Sequence, residues 1–167
     1  ISSDGLTYTF KLRDNLKWQD GQPLIADDVV FTILTVQNGD YGSFQRINWQ
    51  GVEVTKINQQ TVAFTLKNKY AQFLNNTTLG ILPKHLWENI KPASFGLSEL
   101  NLKPIGAGPY KFSKIRRDSS GNVQSYELTS FTDYYAGLAY IDKITFNFYE
   151  SEDKMIEAFN QGDLSAL

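Results

Sequence analysis

Several features on which many functional sites depend are absent from this sequence. It contains no cysteine, which excludes disulfide bonds, cysteine-ligated zinc and thiol catalysis. Its one histidine, His85, cannot build a metal site from several histidines. No apolar run approaches the ~20 residues of a membrane-spanning helix. We therefore expect no cofactor, no metal and no direct membrane insertion by this segment.

The charge of the chain is also small. Sixteen basic and 18 acidic residues give a formal net charge of −2, and the basic residues show no dense cluster beyond 114–117. Electrostatic binding of nucleic acid needs such clusters, so we expect no nucleic-acid partner. A charged start followed by an apolar stretch, which marks a secretion signal, is missing as well. Any targeting segment is expected outside these residues.

The chain is rich in apolar and aromatic residues. Hydrophobic residues make up 41% of the 167 positions and aromatic residues 14%, including nine tyrosines and eleven phenylalanines. This length and composition suffice for a buried core. Large rings are common in strands, so a sheet-rich fold is favoured.

The periodicity of the first 66 residues predicts a strand, a helix and a hairpin. Residues 6–12 alternate between apolar and polar, which is typical of a half-buried strand. A helix is predicted over about 26–37, with Asp27 and Asp28 in its first turn where they suit the helix dipole. Its apolar stripe consists of Val29, Val30, Ile33, Leu34 and Val36. Residues 52–57 and 61–66 predict two paired strands.

The remainder of the chain predicts short helices followed by strands. Helices are expected within 70–79 and 81–90, the second because Pro83 suits a first helical turn. Strands are predicted from Tyr110, over 123–129 and over 141–148. A last helix should begin at Ser151 as its N-cap and end at Gly162.

The stretch "PIGAGPYKF" (104–112) raises the possibility of a phosphate-binding loop, because Gly106 and Gly108 are one residue apart. Such a loop precedes a helix, whose N-terminal amides face the phosphates. Here an alternating, β-prone segment follows. The pattern therefore favours a structural turn at the start of a strand.

The candidates for catalysis do not form a recognisable constellation. A serine triad would need His85, and no Gly-x-Ser-x-Gly elbow is present. Carboxylates are plentiful, but Asp20 is explained by its Asp-Gly turn, and Asp27 and Asp28 by the start of a helix. We therefore expect the protein not to be an enzyme.

Several stretches together resemble one family, the extracellular solute-binding proteins of family 5. These are the oligopeptide-, dipeptide- and nickel-binding components of ABC importers. The segment 8–33 carries its pattern in Leu12-Arg13, Trp18, Asp20-Gly21, Pro23 and Asp28-Val29. The segments "ILPKHLWE", "PIGAGPYKF", "DYYAGLAYIDKITF" and "EAFNQGDL" are similar to later motifs of the family. The resemblance runs essentially from end to end.

The sequence departs from the family pattern at two positions and in its length. Ile25 stands where the family usually has a threonine or serine N-cap, which costs about 1 kcal/mol. The closing motif reads Gly-Asp-Leu-Ser over 162–165, without a final acid. Family members are much longer, so we expect a fragment whose second lobe lies outside the chain. Open strand edges are then expected near residues 6–12.

The resemblance implies an α/β (mixed α+β) fragment of a two-lobe, periplasmic-binding-protein-like fold, with a mixed sheet and flanking helices. Residues 1–103 are then an accessory subdomain of the first lobe, and residues 104–167 belong to the lobe that bears the ligand cleft. The implied function is non-catalytic trapping of a solute, most simply a small peptide, and its delivery to a membrane permease. The implied location is the periplasm or the extracellular cell surface, with or without a lipid anchor.

The residues expected to contact the solute are Tyr41 and Phe44, in the loop after the first helix, and Ser165 and Ala166 at the end of the chain. Nickel complexes, sugars and opines remain open as solutes. Two other functions also remain open. The chain is alternatively a stand-alone module that recognises protein or carbohydrate, or a carbohydrate-active enzyme that uses paired carboxylates.

Overall fold

The structure is a computed structural model that describes residues 1–166. The chain forms two compact units. Unit 1 contains Ile1–Gly108 together with Asp133–Gly137, and unit 2 contains Pro109–Thr132 and the chain from Leu138 onward. The division into an accessory subdomain (1–103) and part of a cleft lobe (104–167) stays a prediction, because it assigns each part a place in a larger lobe.

Unit 1 is built on a three-stranded antiparallel sheet. Its strands are β1 (Thr7–Lys11), β2 (Glu53–Asn58) and β3 (Thr61–Thr65), in the order β1-β3-β2. The register places Tyr8 opposite Phe64. The predicted strand and hairpin are confirmed. Within the described residues β1 is an edge strand, so the open edge expected near 6–12 is confirmed too.

The helix α1 (Ala26–Gln37) packs on this sheet and has the predicted bounds. One detail of the predicted apolar stripe is wrong: Leu34 is 55% exposed, whereas Thr32 is 1% exposed. Thr32 can be buried because its hydroxyl is hydrogen-bonded on both sides. The Thr32 hydroxyl donates to the Asp28 carbonyl at 2.7 Å and accepts from the Leu82 N–H at 2.9 Å.

The core of unit 1 is a cluster of aromatic rings between the sheet and the helices. The Tyr8 and Phe73 ring centroids are 4.9 Å apart, and those of Trp49 and Phe64 are 5.5 Å apart. Trp49 and Phe73 are almost completely buried. Rings of this size supply much of the apolar area that a short chain buries, and they stabilise the unit accordingly.

The other helices of unit 1 are single turns. They are α2 (Arg46–Trp49), α3 (Phe73–Asn76), α4 (Lys84–Trp87) and α5 (Pro92–Phe95), with 3₁₀ turns at Gly39–Tyr41 and Glu99–Asn101. The helix predicted within 81–90 is therefore shorter than expected. Pro83 precedes it as the N-cap, and the chain starts a separate helix at Pro92, whose fixed φ suits a first turn.

Unit 2 is a second three-stranded antiparallel sheet with one helix. Its strands are β4 (Tyr110–Arg117), β5 (Val123–Ser130) and β6 (Lys143–Asn147), and they lie in the order β4-β5-β6. The helix α6 (Glu152–Asn160) is capped by the Ser151 hydroxyl, as predicted, and Gly162 follows it with φ of +81°. No helix within residues 1–166 has the length and apolar character needed to cross a bilayer.

Candidate functional site

The buried carboxylate of Asp28 connects three separate segments of unit 1. Its Oδ2 accepts hydrogen bonds from the Trp18 indole N–H at 3.3 Å and from the Ile25 backbone N–H at 2.9 Å. Its Oδ1 accepts from the Lys84 backbone N–H at 2.8 Å. Asp28 is only 4% exposed. Buried carboxylates need such donors, so Asp28 joins the loop of Trp18, the start of α1 and the start of α4.

The loop that carries Trp18 is shaped by the Asp20-Gly21 turn. The Gly21 N–H donates to the Trp18 carbonyl at 2.9 Å, and the Asp20 carboxylate accepts from the Gln22 N–H at 3.0 Å. Gly21 has a φ of +88°, a region that favours glycine. The turn predicted at Asp20 is confirmed. It directs the indole of Trp18 into the core, where the ring is 1% exposed.

The Gly106–Gly108 turn is held by the side chain of Gln19. Its Oε1 accepts from the Gly106 N–H at 3.0 Å, and its Nε2 donates to the Gly108 carbonyl at 3.2 Å. The Gln19 backbone N–H also donates to the Gly106 carbonyl. Strand β4 begins two residues after Gly108. The structural turn predicted from the sequence is confirmed, since the amide and a carbonyl of the turn are already bonded within the protein.

The single histidine pairs with the carboxylate of the same Asp-Gly turn. His85 Nε2 lies 2.7 Å from Asp20 Oδ2, at the surface of unit 1. Among residues 1–166, no group of three or more histidines or carboxylates is arranged to hold a metal ion. Asp27 is paired with Lys56, and Asp133 with Lys17. These acidic side chains therefore have structural partners.

The acidic side chains of unit 2 with shifted pKa values lie in a turn and on the sheet. The Asn122 side chain and backbone N–H bond the Asp118 carboxylate and lower its pKa. The Ser113 hydroxyl donates to Glu127 at 2.9 Å and lowers the pKa of Glu127, with the nearby Lys143 adding to the effect. A lowered pKa keeps both groups ionised near neutral pH, which suits a hydrogen-bond acceptor better than a general acid.

The predicted solute contacts Tyr41 and Phe44 lie in unit 1, after α1. Tyr41 ends the 3₁₀ turn Gly39–Tyr41 and packs edge-on against Phe95, with ring centroids 4.9 Å apart. Phe44 is 88% exposed. The structure thus fixes the Tyr41 ring and leaves the Phe44 ring available. Whether either ring touches a solute stays a prediction.

The predicted contacts Ser165 and Ala166 lie in unit 2, beyond α6. Both residues are exposed and stand in irregular backbone. Of the four predicted contacts, two therefore belong to unit 1 and two to unit 2. Leu167 lies outside the described residues.

Sequence reasoning missed the hydrogen bonds that Asp28 and Gln19 make to distant segments. It assigned Asp28 to the helix start, and the bond to the Ile25 N–H confirms that part. It did not find the bonds to Trp18 and Lys84. The family resemblance could have pointed to these bonds, because the segments that Asp28 connects are the motifs around Trp18, Asp28 and Pro83.

Comparisons with known proteins agree with this geometry. Residues 1–167 match the family described as bacterial extracellular solute-binding proteins, family 5 Middle. The chain belongs to this family. The predicted fold class is confirmed, since solved structures of such binding proteins superpose on nearly the whole chain.

Two similar proteins, both with solved structures, illustrate the relatives of this chain. The oligopeptide-binding protein AppA of Bacillus subtilis is 33% identical over 165 residues, covering 96% of this chain and 30% of its own length. A structure of the Bacillus subtilis AppA in complex with a nonapeptide has a TM-score of 0.86 at 32% identity, covering 97% of this chain and 32% of that one. NikZ from Campylobacter jejuni, in complex with Ni(L-His), has a TM-score of 0.85 at 31% identity, covering 98% and 32%. The chain thus spans about a third of the length of these relatives.

Proposed function

We propose that this chain is one part of the solute-binding component of an ABC importer, and that the solute is a peptide. The observation that carries the proposal is the family match over residues 1–167. The similarity to AppA, whose structure contains a nonapeptide, favours a peptide as the solute. The proposed component is non-catalytic: it traps its ligand when two lobes close about a hinge.

The internal bonding of unit 1 supports a scaffold rather than a reaction centre. The side-chain polar atoms of Asp28 and Gln19 are hydrogen-bonded to other groups of the protein. The surface carboxylates of Asp27 and Asp133 form ion pairs with lysines. A receptor that binds its ligand by closing two lobes needs lobes that move as rigid bodies. A network of bonds between distant segments provides that rigidity.

Four residues are proposed to contact the solute: Tyr41, Phe44, Ser165 and Ala166. An exposed ring such as Phe44 offers an apolar surface to a peptide side chain, and the fixed ring of Tyr41 offers a second one. Ser165 offers a hydroxyl and, like Ala166, a backbone that can pair with an extended peptide. Most of the solute contacts are proposed to come from the second lobe, outside this chain.

The choice of peptide over other solutes rests on the relatives alone. NikZ, with Ni(L-His), resembles this chain almost as well as AppA does. The part of the fold seen here is therefore compatible with different solutes. We propose that pocket residues outside this chain select which solute binds.

The proposed component works outside the cytoplasmic membrane, in the periplasm or on the cell surface, either free or held by a lipid anchor. Its proposed macromolecular partner is the membrane permease of the importer. The family description as extracellular proteins supports this location.

The test is calorimetry on the full-length protein. We expect a mixture of short peptides to bind with micromolar or tighter Kd, and Ni(L-His) and opines to bind much more weakly. Mass spectrometry of the recovered peptide should show it unchanged. Absence of peptide binding, or cleavage of the peptide, would refute the proposal.

A variant pair tests the proposed contact at Phe44. Phe44→Ala should weaken peptide binding about tenfold, because an aromatic contact is lost. Leu97→Ala is the matched control, since Leu97 is 89% exposed in the same unit and is not a proposed contact. Equal effects of the two substitutions would remove Phe44 from the proposed site. The 167-residue chain alone is expected to bind no peptide tightly.

A further inference from the structure

One face of the unit 2 sheet is polar and positively charged. Successive side chains of a strand point to opposite faces, so the register decides which of them share a face. Three rows across the strands lie on the same face: Lys111, Thr129 and Lys143; Lys114, Glu127 and Thr145; and Arg116, Ser125 and Asn147. We call these nine residues the basic face. It contains four cations and a single acid.

Contacts between side chains agree with this register. The Glu127 carboxylate accepts from the Ser113 hydroxyl at 2.9 Å and lies 3.5 Å from the Lys143 ammonium group. The Ser113 hydroxyl, Lys143 and Lys114 together lower the pKa of Glu127, so both lysines are close to it. The rings of Phe112 and Tyr126 alternate with these residues along their strands and pack against each other, with centroids 5.2 Å apart. The sheet is therefore polar on one side and aromatic on the other.

The positive charge of the basic face is exposed and set apart from the acids of the same unit. All four cations are exposed to solvent. Of these four, only Lys143 forms an ion pair within residues 1–166. The chain as a whole has a formal net charge of −2. Most acids of unit 2 lie at or beside α6, namely Glu150, Glu152, Asp153, Glu157 and Asp163.

The residues between the cations favour a membrane surface over a protein or a nucleic acid. They are serine, threonine, asparagine and Glu127, without an aromatic or apolar side chain. A protein interface usually centres on a buried anchor of that kind, and a sheet that binds single-stranded RNA presents rings for stacking. The cations are spread over about 10 Å across the strands, which suits an extended anionic surface better than one small anion.

We propose that the basic face binds the anionic lipid surface of the membrane by electrostatic attraction, without inserting into the bilayer. Insertion needs apolar side chains, and the basic face has none. The inference goes beyond the proposed function and rests on it only for the setting, the outer surface of the cytoplasmic membrane. Binding there keeps the receptor close to its permease.

The test is co-sedimentation of the full-length protein, prepared without a lipid anchor, with lipid vesicles. One vesicle contains equal parts of anionic phosphatidylglycerol and neutral phosphatidylcholine, and the reference vesicle contains phosphatidylcholine alone. We expect binding to the anionic vesicle only. It should be lost between about 0.1 M and about 1 M salt, because the Debye length falls from about 10 Å to about 3 Å. No peptide is added, so the result is independent of the calorimetric test of the proposed function.

Two double variants with the same change in charge locate the binding surface. Lys114→Gln with Arg116→Gln should weaken vesicle binding at least about tenfold, because two cations of the basic face are lost. Lys67→Gln with Lys69→Gln is the matched control, since both lysines are exposed in unit 1. The control should change binding less than about twofold.

Glu127→Gln provides an arm of opposite sign. It removes the negative charge of the basic face and should strengthen vesicle binding about fivefold, which damage to the fold would not do. Absence of binding to the anionic vesicle, equal binding to the neutral one, or equal losses for the two double variants would overturn the proposal. Tighter binding to polyglutamate or to duplex DNA than to the vesicle would also overturn it, and would assign the basic face to a protein or a nucleic acid.

Discussion

The carboxylate of Asp28 lies 2.8 Å from the backbone nitrogen of Lys84, although 56 positions separate the two residues in the chain. The same carboxylate accepts bonds from Trp18 and from the first residue before α1. One buried side chain thus fixes the relative positions of three segments that resemble motifs of the family. A change at this position should therefore affect the fold more than its helix-capping role suggests.

Asp28→Asn should destabilise unit 1 by about 2 kcal/mol, because the amide group replaces an acceptor and leaves a buried donor unsatisfied. Urea unfolding measures the change. Asp27→Asn is the control, since Asp27 pairs with Lys56 near the surface, and it should cost less than about 1 kcal/mol. Equal losses for the two variants would contradict the proposed role of Asp28 as a buried connection.

Ile25→Thr should stabilise α1 by about 0.5–1 kcal/mol. Ile25 occupies the N-cap position with extended backbone, and its side chain makes no capping hydrogen bond. A threonine hydroxyl can accept from the amides of the first turn. Thermal unfolding of the variant is compared with that of Ile25→Val, which keeps the branched shape without an acceptor. If both variants unfold at the same temperature, the hydroxyl is not the cause.

Two glycine substitutions should differ in their cost. Gly121 has a φ of +87°, so Gly121→Ala should destabilise the β4–β5 turn by about 1–2 kcal/mol. At Gly108 an added Cβ meets nothing within 4 Å and the backbone is not left-handed, so Gly108→Ala should change stability by less than about 0.5 kcal/mol. The free energies of unfolding decide the comparison. A large loss at Gly108 would show that its turn needs glycine.

The turn of Asp118 should weaken in acid. Bonds from Asn122 lower the pKa of Asp118 below its ordinary value of 3.8. A lowered folded-state pKa stabilises the turn above the ordinary pKa, and this contribution is lost as the pH falls through the lowered value. The protection factor of the Asn122 amide, which is its intrinsic exchange rate at that pH divided by the rate measured by NMR, should therefore fall in strongly acidic solution. In Asp118→Asn this acid-dependent fall should vanish, and its persistence would assign it to another group.

Much of the fold could be predicted from the sequence because the signals are local. Alternation over 6–12 and helical spacing from Ala26 specify the type of element and most of the residues that face a core, wherever that core lies. The Asp20-Gly21 turn and the Ser151 cap depend on neighbouring residues alone. The solute contacts were less accessible, since Tyr41, Phe44, Ser165 and Ala166 carry no local pattern that distinguishes a contact from a surface residue.

Local signals were enough to predict the strands, the longer helices, their order and the family resemblance, because backbone preferences and apolar periodicity act over a few residues. Only the tertiary structure decided that Asp28 reaches Lys84, that Gln19 holds Gly106, and that Thr32 is buried while Leu34 is exposed. It also decided that the Trp49 indole N–H is buried without an acceptor among the described residues. These outcomes depend on which distant segments pack together, and no short window of sequence contains that information.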